Sequence, residues 1–206
     1  MALRVSINKV IFPNSSYAVS FDLQAENGVV NIAGENGIGK TSILKSVVGI
    51  HKFQGHAIFN DKDIRDFNAL EKSSIVFCPD KYLFSEAITA KEYLDFIALS
   101  YNILPDTQPY RDSIKELGIP NKKLTEEIRT LSYGTVKKLL LAATFLPTAK
   151  LIVMDEPLNG LDAKGKDWLA SQIQYRLNDH LFLMTCHDKS WLKQFSPQEA
   201  WVQENK

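Results

Sequence analysis

Cysteine is scarce in this chain. There are two residues in 206, Cys78 and Cys186, far apart and each in an apolar segment. That usage argues against a disulfide framework or a cysteine metal site, and predicts buried thiols in a reducing compartment. Long apolar runs are missing too. The longest stretch without Asp, Glu, Lys or Arg, "VIFPNSSYAVSF", is short and carries Pro, Asn and Ser. A spanning helix needs about 20 mostly apolar residues, so no bilayer crossing is expected. The start, "MALRVSINKV", lacks the charged-then-apolar order of a secretory signal. Net charge is absent as well: 24 Lys and Arg balance 24 Asp and Glu. No global attraction to nucleic acid or to an anionic membrane is expected from that balance. Repeats and low-complexity tracts are missing. What remains is the expectation of a soluble cytosolic domain.

The composition is ordinary for a globular chain, 45% hydrophobic and 23% charged. At this size folding buries roughly 70% of the surface of the extended chain, enough for a real core. "VVNIA" (29–33) reads as a buried strand, and Ile43, Leu44, Val47 and Val48 recur with helical spacing before Gly49. "HAIFNDKDI" reads as strand, polar turn and short strand, and "SSIVFC" (73–78) as a strand stopped by Pro79. From about Thr89 the pattern turns helical. Thr89 and Glu92 form a capping-box pattern, with Leu94, Ile97, Ala98 and Tyr101 on one face. Tyr110, Ile114 and Leu117 repeat the spacing before Gly118. Apolar strands return at "LIVM" (151–154) and "LFLMT" (181–185), separated by a helical stripe of Trp168, Leu169, Ile173 and Leu177. Strands alternating with helices predict an α/β fold with a mostly parallel sheet and a helical insertion at roughly 85–130.

Between the first buried strand and its helix lies "GENGIGKTS" (34–42). Gly34, Gly39, Lys40 and Thr41 fit the Walker A spacing, in the strand–loop–helix context that the pattern requires. Backbone N–H groups of Asn36, Gly37 and their neighbours turn inward around phosphate oxygens, and glycine permits the close approach. The helix start adds its own N–H groups and dipole. Lys40 reaches the outer phosphates, the Thr41 hydroxyl suits Mg²⁺, and Ser42 adds a contact to an inner phosphate. "LIVMDEP" then ends an apolar strand in two carboxylates. Asp155 suits Mg²⁺ through water, and Glu156 suits polarisation of a water for attack on the γ-phosphate.

Upstream of that pair is "LSYGTVKKLLLAATFLPTAK", and directly after it "LNGLD". In this order the set resembles the nucleotide-binding domain of ABC transporters, over nearly the whole chain. The resemblance implies a P-loop NTPase core with a small antiparallel β subdomain and a helical subdomain, as one ATP-binding domain over residues 1–206. It implies ATP and Mg²⁺ as ligands, and a head-to-tail dimer with ATP between the Walker A of one copy and the signature segment of the other. There Ser132 and Gly134 are expected at the γ-phosphate. Ser132 also reads as the cap of an apolar helix running to about Leu146. Asp162 matches the D-loop, and by itself reads as a helix N-cap. His187, after "LFLMT", matches the switch histidine and completes the catalytic set with Glu156 and Lys40. An aromatic stacking on adenine is expected early in the chain. Phe12 fits by spacing and Tyr17 competes. His51, His56 and His180 match nothing.

Two positions depart from the family pattern. The signature carries Tyr133 where glycine is usual and Thr135 where glutamine is usual. Asp80 stands where the Q-loop glutamine should follow "IVFCP", which leaves it a candidate for the metal's water shell. The function implied is an ATPase subunit, peripheral on the cytoplasmic face, driving transport through a separate transmembrane permease. That partner is expected near the loop at 80–86 and the helical insertion, where Tyr82, Leu83 and Phe84 are either exposed or packed beneath the insertion. The short insertion resembles compact exporter-type ATPases. The rivals are a soluble ABC-type ATPase and a nucleotide sensor that barely hydrolyses ATP. Against the first stand the missing coiled-coil insertion, the missing second cassette and the lack of basic excess. Against the second stand Lys40, Asp155, Glu156 and His187.

Overall fold

The structure is a computed structural model that describes residues 2–12, 15–81, 85 and 87–204, without the side chains of residues 15–17. The Tyr17 side chain, and Tyr82, Leu83 and Phe84 of the anticipated docking loop, lie outside the described residues. The chain opens with strands β1 (Leu3–Phe12), β2 (Ser15–Ala25) and β3 (Gly28–Ala33), then helix α1 (Lys40–Val47). Next come β4 (Lys52–Phe59), β5 (Lys62–Asp63), α2 (Ala69–Lys72) and β6 (Ile75–Cys78). Helices α3 (Ala90–Ser100), α4 (Gln108–Glu116), α5 (Asn121–Leu124) and α6 (Tyr133–Phe145) follow. The remainder is β7 (Leu151–Asp155), α7 (Ala163–Arg176), β8 (Leu181–Thr185), α8 (Lys189–Leu192), β9 (Gln198–Trp201) and β10 (Gln203–Glu204). Two compact units result. One is Met1–Phe77 with Ala149–Glu156 and Arg176–Lys206; the other is Cys78–Thr148 with Pro157–Tyr175.

The first unit carries two sheets, ordered β10-β2-β1-β4-β5 and β6-β7-β8-β3-β9. In the second of these, β3 pairs in parallel with both β8 and β9, and β7 in parallel with β8. All residues of β7 and β8 are buried, which is why they read as unbroken apolar runs rather than alternating ones. The other sheet is antiparallel, with β1 between β2 and β4. Leu3, Val5 and Ile7 alternate inward along β1, and then the register shifts between Ile7 and Lys9, so that Val10 is the next inward residue. Opposite the shift, Gly55 stands at φ 121°, and a Cβ there would fall 1.9 Å from the Ser6 carbonyl oxygen. Only glycine fits this crossing. Ile43, Leu44 and Val47 of α1 enter the same core as Leu3 and Ile7 from one sheet and Leu151, Leu181 and Ile32 from the other. Each such side chain, fully buried, stabilises the fold by about 1.5–3 kcal/mol.

The second unit is helical. Its packing follows most of the anticipated stripes: Leu94 and Ala98 of α3, Tyr110 and Ile114 of α4, and Trp168, Leu169 and Ile173 of α7 are buried, whereas Ile97 and Tyr101 are half-buried and α7 ends at Arg176, before Leu177. The Thr89 and Glu92 capping box is present, with each side chain bonded to the other residue's N–H. Helix α6 buries residues all round, from Val136 to Phe145, which accounts for its nearly polarity-free second half. Two polar groups of this core are paired across helices: Trp168 Nε1 donates to Glu116 at 2.8 Å and Tyr110 Oη to Asp95 at 2.9 Å. Among the described residues no helix is long and apolar enough to cross a membrane.

Candidate functional site

The glycine loop joins β3 to α1. Gly39 is the N-cap of α1 at φ 101°, and Gly37 stands at φ 84°, conformations that a side chain strains. No side chain caps α1 and no acidic residue occupies its first turn. The positive end of the helix and its free N–H groups therefore face the loop unneutralised, which suits a bound anion. Lys40 folds back over the loop, its Nζ donating to the Gly34 and Glu35 carbonyls at 2.9 Å each.

The acidic pair is positioned by strand register. In the parallel pairing of β7 with β8, Asp155 stands beside Thr185. The buried Asp155 carboxylate accepts from Thr41 Oγ1 at 2.9 Å through one oxygen and from Thr185 Oγ1 at 2.8 Å through the other. A hydroxyl and a carboxylate thus converge at the loop, the hard oxygen donors that Mg²⁺ takes together with phosphate and water. Among the described residues no cluster of three or more His, Cys, Asp or Glu side chains is suited to a metal. Glu156 follows at φ 43°, an uncommon backbone conformation of the kind that gathers at functional sites. Its N–H donates to Thr185 Oγ1 at 2.9 Å, and its Oε1 lies 3.1 Å from His187 Nε2. The backbone just before His187 is tied to β3: the N–H of neighbouring Cys186 donates to Oδ1 of Asn31, a buried residue of that strand. Cys186 and Cys78 are both buried, and neither is in a disulfide.

Together Asn36, Gly37, Gly39, Lys40, Thr41, Ser42, Asp155, Glu156, Thr185 and His187 line one cavity of about 360 Å³. Gly34 joins the group through Lys40. Phe12 is not part of that lining. It packs against the core of its unit and meets His51 edge to face, the ring centroids 5.1 Å apart. Thr185 and Asn31 are the residues that sequence reasoning passed over. Thr185 had one faint signal, the single polar residue closing an apolar strand two places before His187.

The remaining candidates lie in the second unit. Ser132 caps α6, its Oγ accepting the Thr135 N–H at 3.3 Å. A Cβ on Gly134 would fall 2.7 Å from the Gly160 carbonyl oxygen, so the first turn of α6 and the 157–162 loop touch backbone to backbone. Asp162 accepts the Gly165 N–H at 2.8 Å at the start of α7 and Lys138 Nζ at 2.7 Å. The lysine bond first, and the N–H bond after it, hold its carboxyl below the usual carboxylate range. Asp80 accepts from Tyr133 and Asn159 within the same unit.

Residues 17–159 match the family model described as ABC transporter. The cytochrome c biogenesis ATP-binding export protein of Reclinomonas americana is 36% identical over 165 residues, which is 79% of this chain and 69% of that protein. ABC transporter A family member 4 of Dictyostelium discoideum is 31% identical over 78% of this chain, but the match spans only 10% of that much longer protein. A putative ABC transporter ATP-binding protein from Pyrococcus furiosus shares the fold. Its TM-score is 0.74 at 24% identity, with 92% of this chain and 94% of that one aligned. A family match over most of the chain, on a fold whose glycine loop faces an acidic strand end, identifies the protein as a member of the ABC transporter family, carrying its ATP-binding, ATP-hydrolysing cassette.

Proposed function

We propose that this cassette works as a head-to-tail pair on the cytoplasmic face of a membrane, and that its ATP cycle drives transport through a separate permease subunit. One observation carries the catalytic reading: Glu156 sits 3.1 Å from His187, on a strand end whose preceding Asp155 is bonded to Thr41 of the glycine loop. The residues from Gly34 to Ser42 cradle the phosphates through their N–H groups, with Asn36, Gly37 and Gly39 giving backbone contacts and Lys40 moving from the loop carbonyls to the outer phosphates. Thr41 and Asp155 hold Mg²⁺, which would neutralise phosphate charge as the terminal bond breaks. Glu156 takes the proton of the attacking water, and His187 orients that carboxylate and contacts the γ-phosphate. Positioned base catalysis of this kind is worth about 10²–10⁴ in rate.

Ser132 and Gly134 of the opposite copy close the site, their helix start offering N–H groups and a hydroxyl to the same phosphate. Asp162 of the D-loop couples the two sites. Adenine stacks on Phe12, or on Tyr17. Residues 1–206 act as one ATP-binding domain. Closing on ATP and opening after hydrolysis makes a ligand-driven population shift, which the permease converts into alternating access. Light scattering of Glu156→Gln tests the pairing. A doubled mass in ATP and Mg²⁺ is expected, and a monomer at saturating nucleotide would contradict the paired reading.

A further inference from the structure

The two positions that depart from the family pattern meet each other. Tyr133 Oη donates to Asp80 Oδ1 at 3.0 Å, and the same oxygen accepts from Asn159 Nδ2 at 3.2 Å. Lys137 Nζ lies 3.7 Å from it, on a side chain with no solvent exposure, and also donates to the Pro79 carbonyl at 3.4 Å. Asp80 therefore gathers donors from the first two turns of α6 and from the 157–162 loop, both inside the second unit. A second contact locks the same surfaces. A Cβ on Gly160 would fall 2.5 Å from the Tyr133 ring, so the ring lies flush on the loop backbone one residue away from the Gly134–Gly160 crossing.

We propose that Asp80 is a positioning residue for the phosphate-binding end of α6. Its carboxylate anchors the Tyr133 ring against Gly160, and that anchor aims Ser132, the preceding residue, and the Gly134 N–H. A side chain accepting from two or three segments at once fixes all of them, because moving any one breaks a bond to a charged group. Asp80 and Tyr133 form a matched pair: a glycine at 133 has no hydroxyl to donate. The Asp80 carboxylate then serves the signature helix and not the metal's water shell. This inference rests on the reading that Ser132 meets nucleotide held by the opposite copy. It predicts an effect on turnover and pairing and none on nucleotide capture, since the Lys40 loop belongs to the first unit.

The test compares Tyr133→Phe, Asp80→Ala, their double variant and Asp80→Glu, each first shown to be folded by circular dichroism and thermal unfolding. Tyr133→Phe removes only the hydroxyl that Asp80 accepts, so it frees the ring from its anchor without opening a gap against Gly160. Each of the first two is expected to lower kcat about tenfold, the loss expected for a bond to a charged acceptor. The double variant should be no slower than the slower single one, because both remove the same contact. Asp80→Glu, which retains a carboxylate acceptor, should recover part of the rate. The affinity of the unpaired protein for ATP should stay within about twofold in all of them, as for sites that do not share partners. Losses that multiply in the double variant, or a rise in ATP Kd matching the fall in kcat, would overturn the proposal. With a parent that hydrolyses ATP and pairs, Tyr133→Phe at the parental rate overturns the positioning role alone. A parent that does neither overturns the proposed function along with it.

Discussion

Thr185 Oγ1 donates to Asp155 at 2.8 Å and accepts the N–H of Glu156 at 2.9 Å, so one buried hydroxyl orients both members of the acidic pair. Thr185→Val keeps the shape and removes the oxygen. A buried carboxylate then loses a donor, and a backbone N–H loses its acceptor. Such a change costs about 1–3 kcal/mol of stability, measured as a lower urea midpoint. Turnover should fall about tenfold as Glu156 loosens. Thr185→Ser, which keeps the oxygen, should stay near the parent on both measures.

His51 gives the fold a pH dependence of predictable sign. Burial first, and the charge of Lys45 second, lower its pKa. Its Nδ1 is buried without a hydrogen-bond partner, and its ring meets Phe12. The unfolded histidine titrates at about 6.5, above the folded one, so between the two the unfolded chain holds more protons. This contribution to stability is complete above the unfolded pKa and is lost as pH falls through the folded one. Thermal midpoints should therefore drop more on acidification for the parent than for His51→Phe. Equal drops would show that His51 contributes nothing to the pH dependence.

The capping box of α3 offers a check on the helical unit. Thr89 Oγ1 accepts the Glu92 N–H, and Glu92 accepts the Thr89 N–H. Thr89→Ala should cost about 1 kcal/mol in urea unfolding, with ATP affinity unchanged.

The site was legible wherever chemistry follows chain order. The loop from Gly34 to Ser42, the Asp155–Glu156 pair and the Ser132 cap each announce themselves within a few residues. So do the buried parallel strands, whose apolar runs need no partner to be recognised. The antiparallel sheet was harder. The inward alternation of Leu3, Val5 and Ile7 breaks at the register shift near Asn8, so β1 does not present an unbroken period of two. Gly55, the residue that permits the shift, means nothing until β4 lies beside β1. Thr185 was hidden for a related reason, since only the register of β7 with β8 sets it against Asp155. The bond between Asp80 and Tyr133 joins residues 53 apart in the chain, beyond any local pattern.

The central claim is that Glu156 activates water at a site built by the glycine loop and Asp155. Steady-state ATP hydrolysis of the parent against Glu156→Gln tests it most directly. A hydrolysing parent is expected, and a variant slower by about 10²–10⁴, the range for loss of a positioned base, with ATP still bound. A variant that turns over ATP at the parental rate would contradict it.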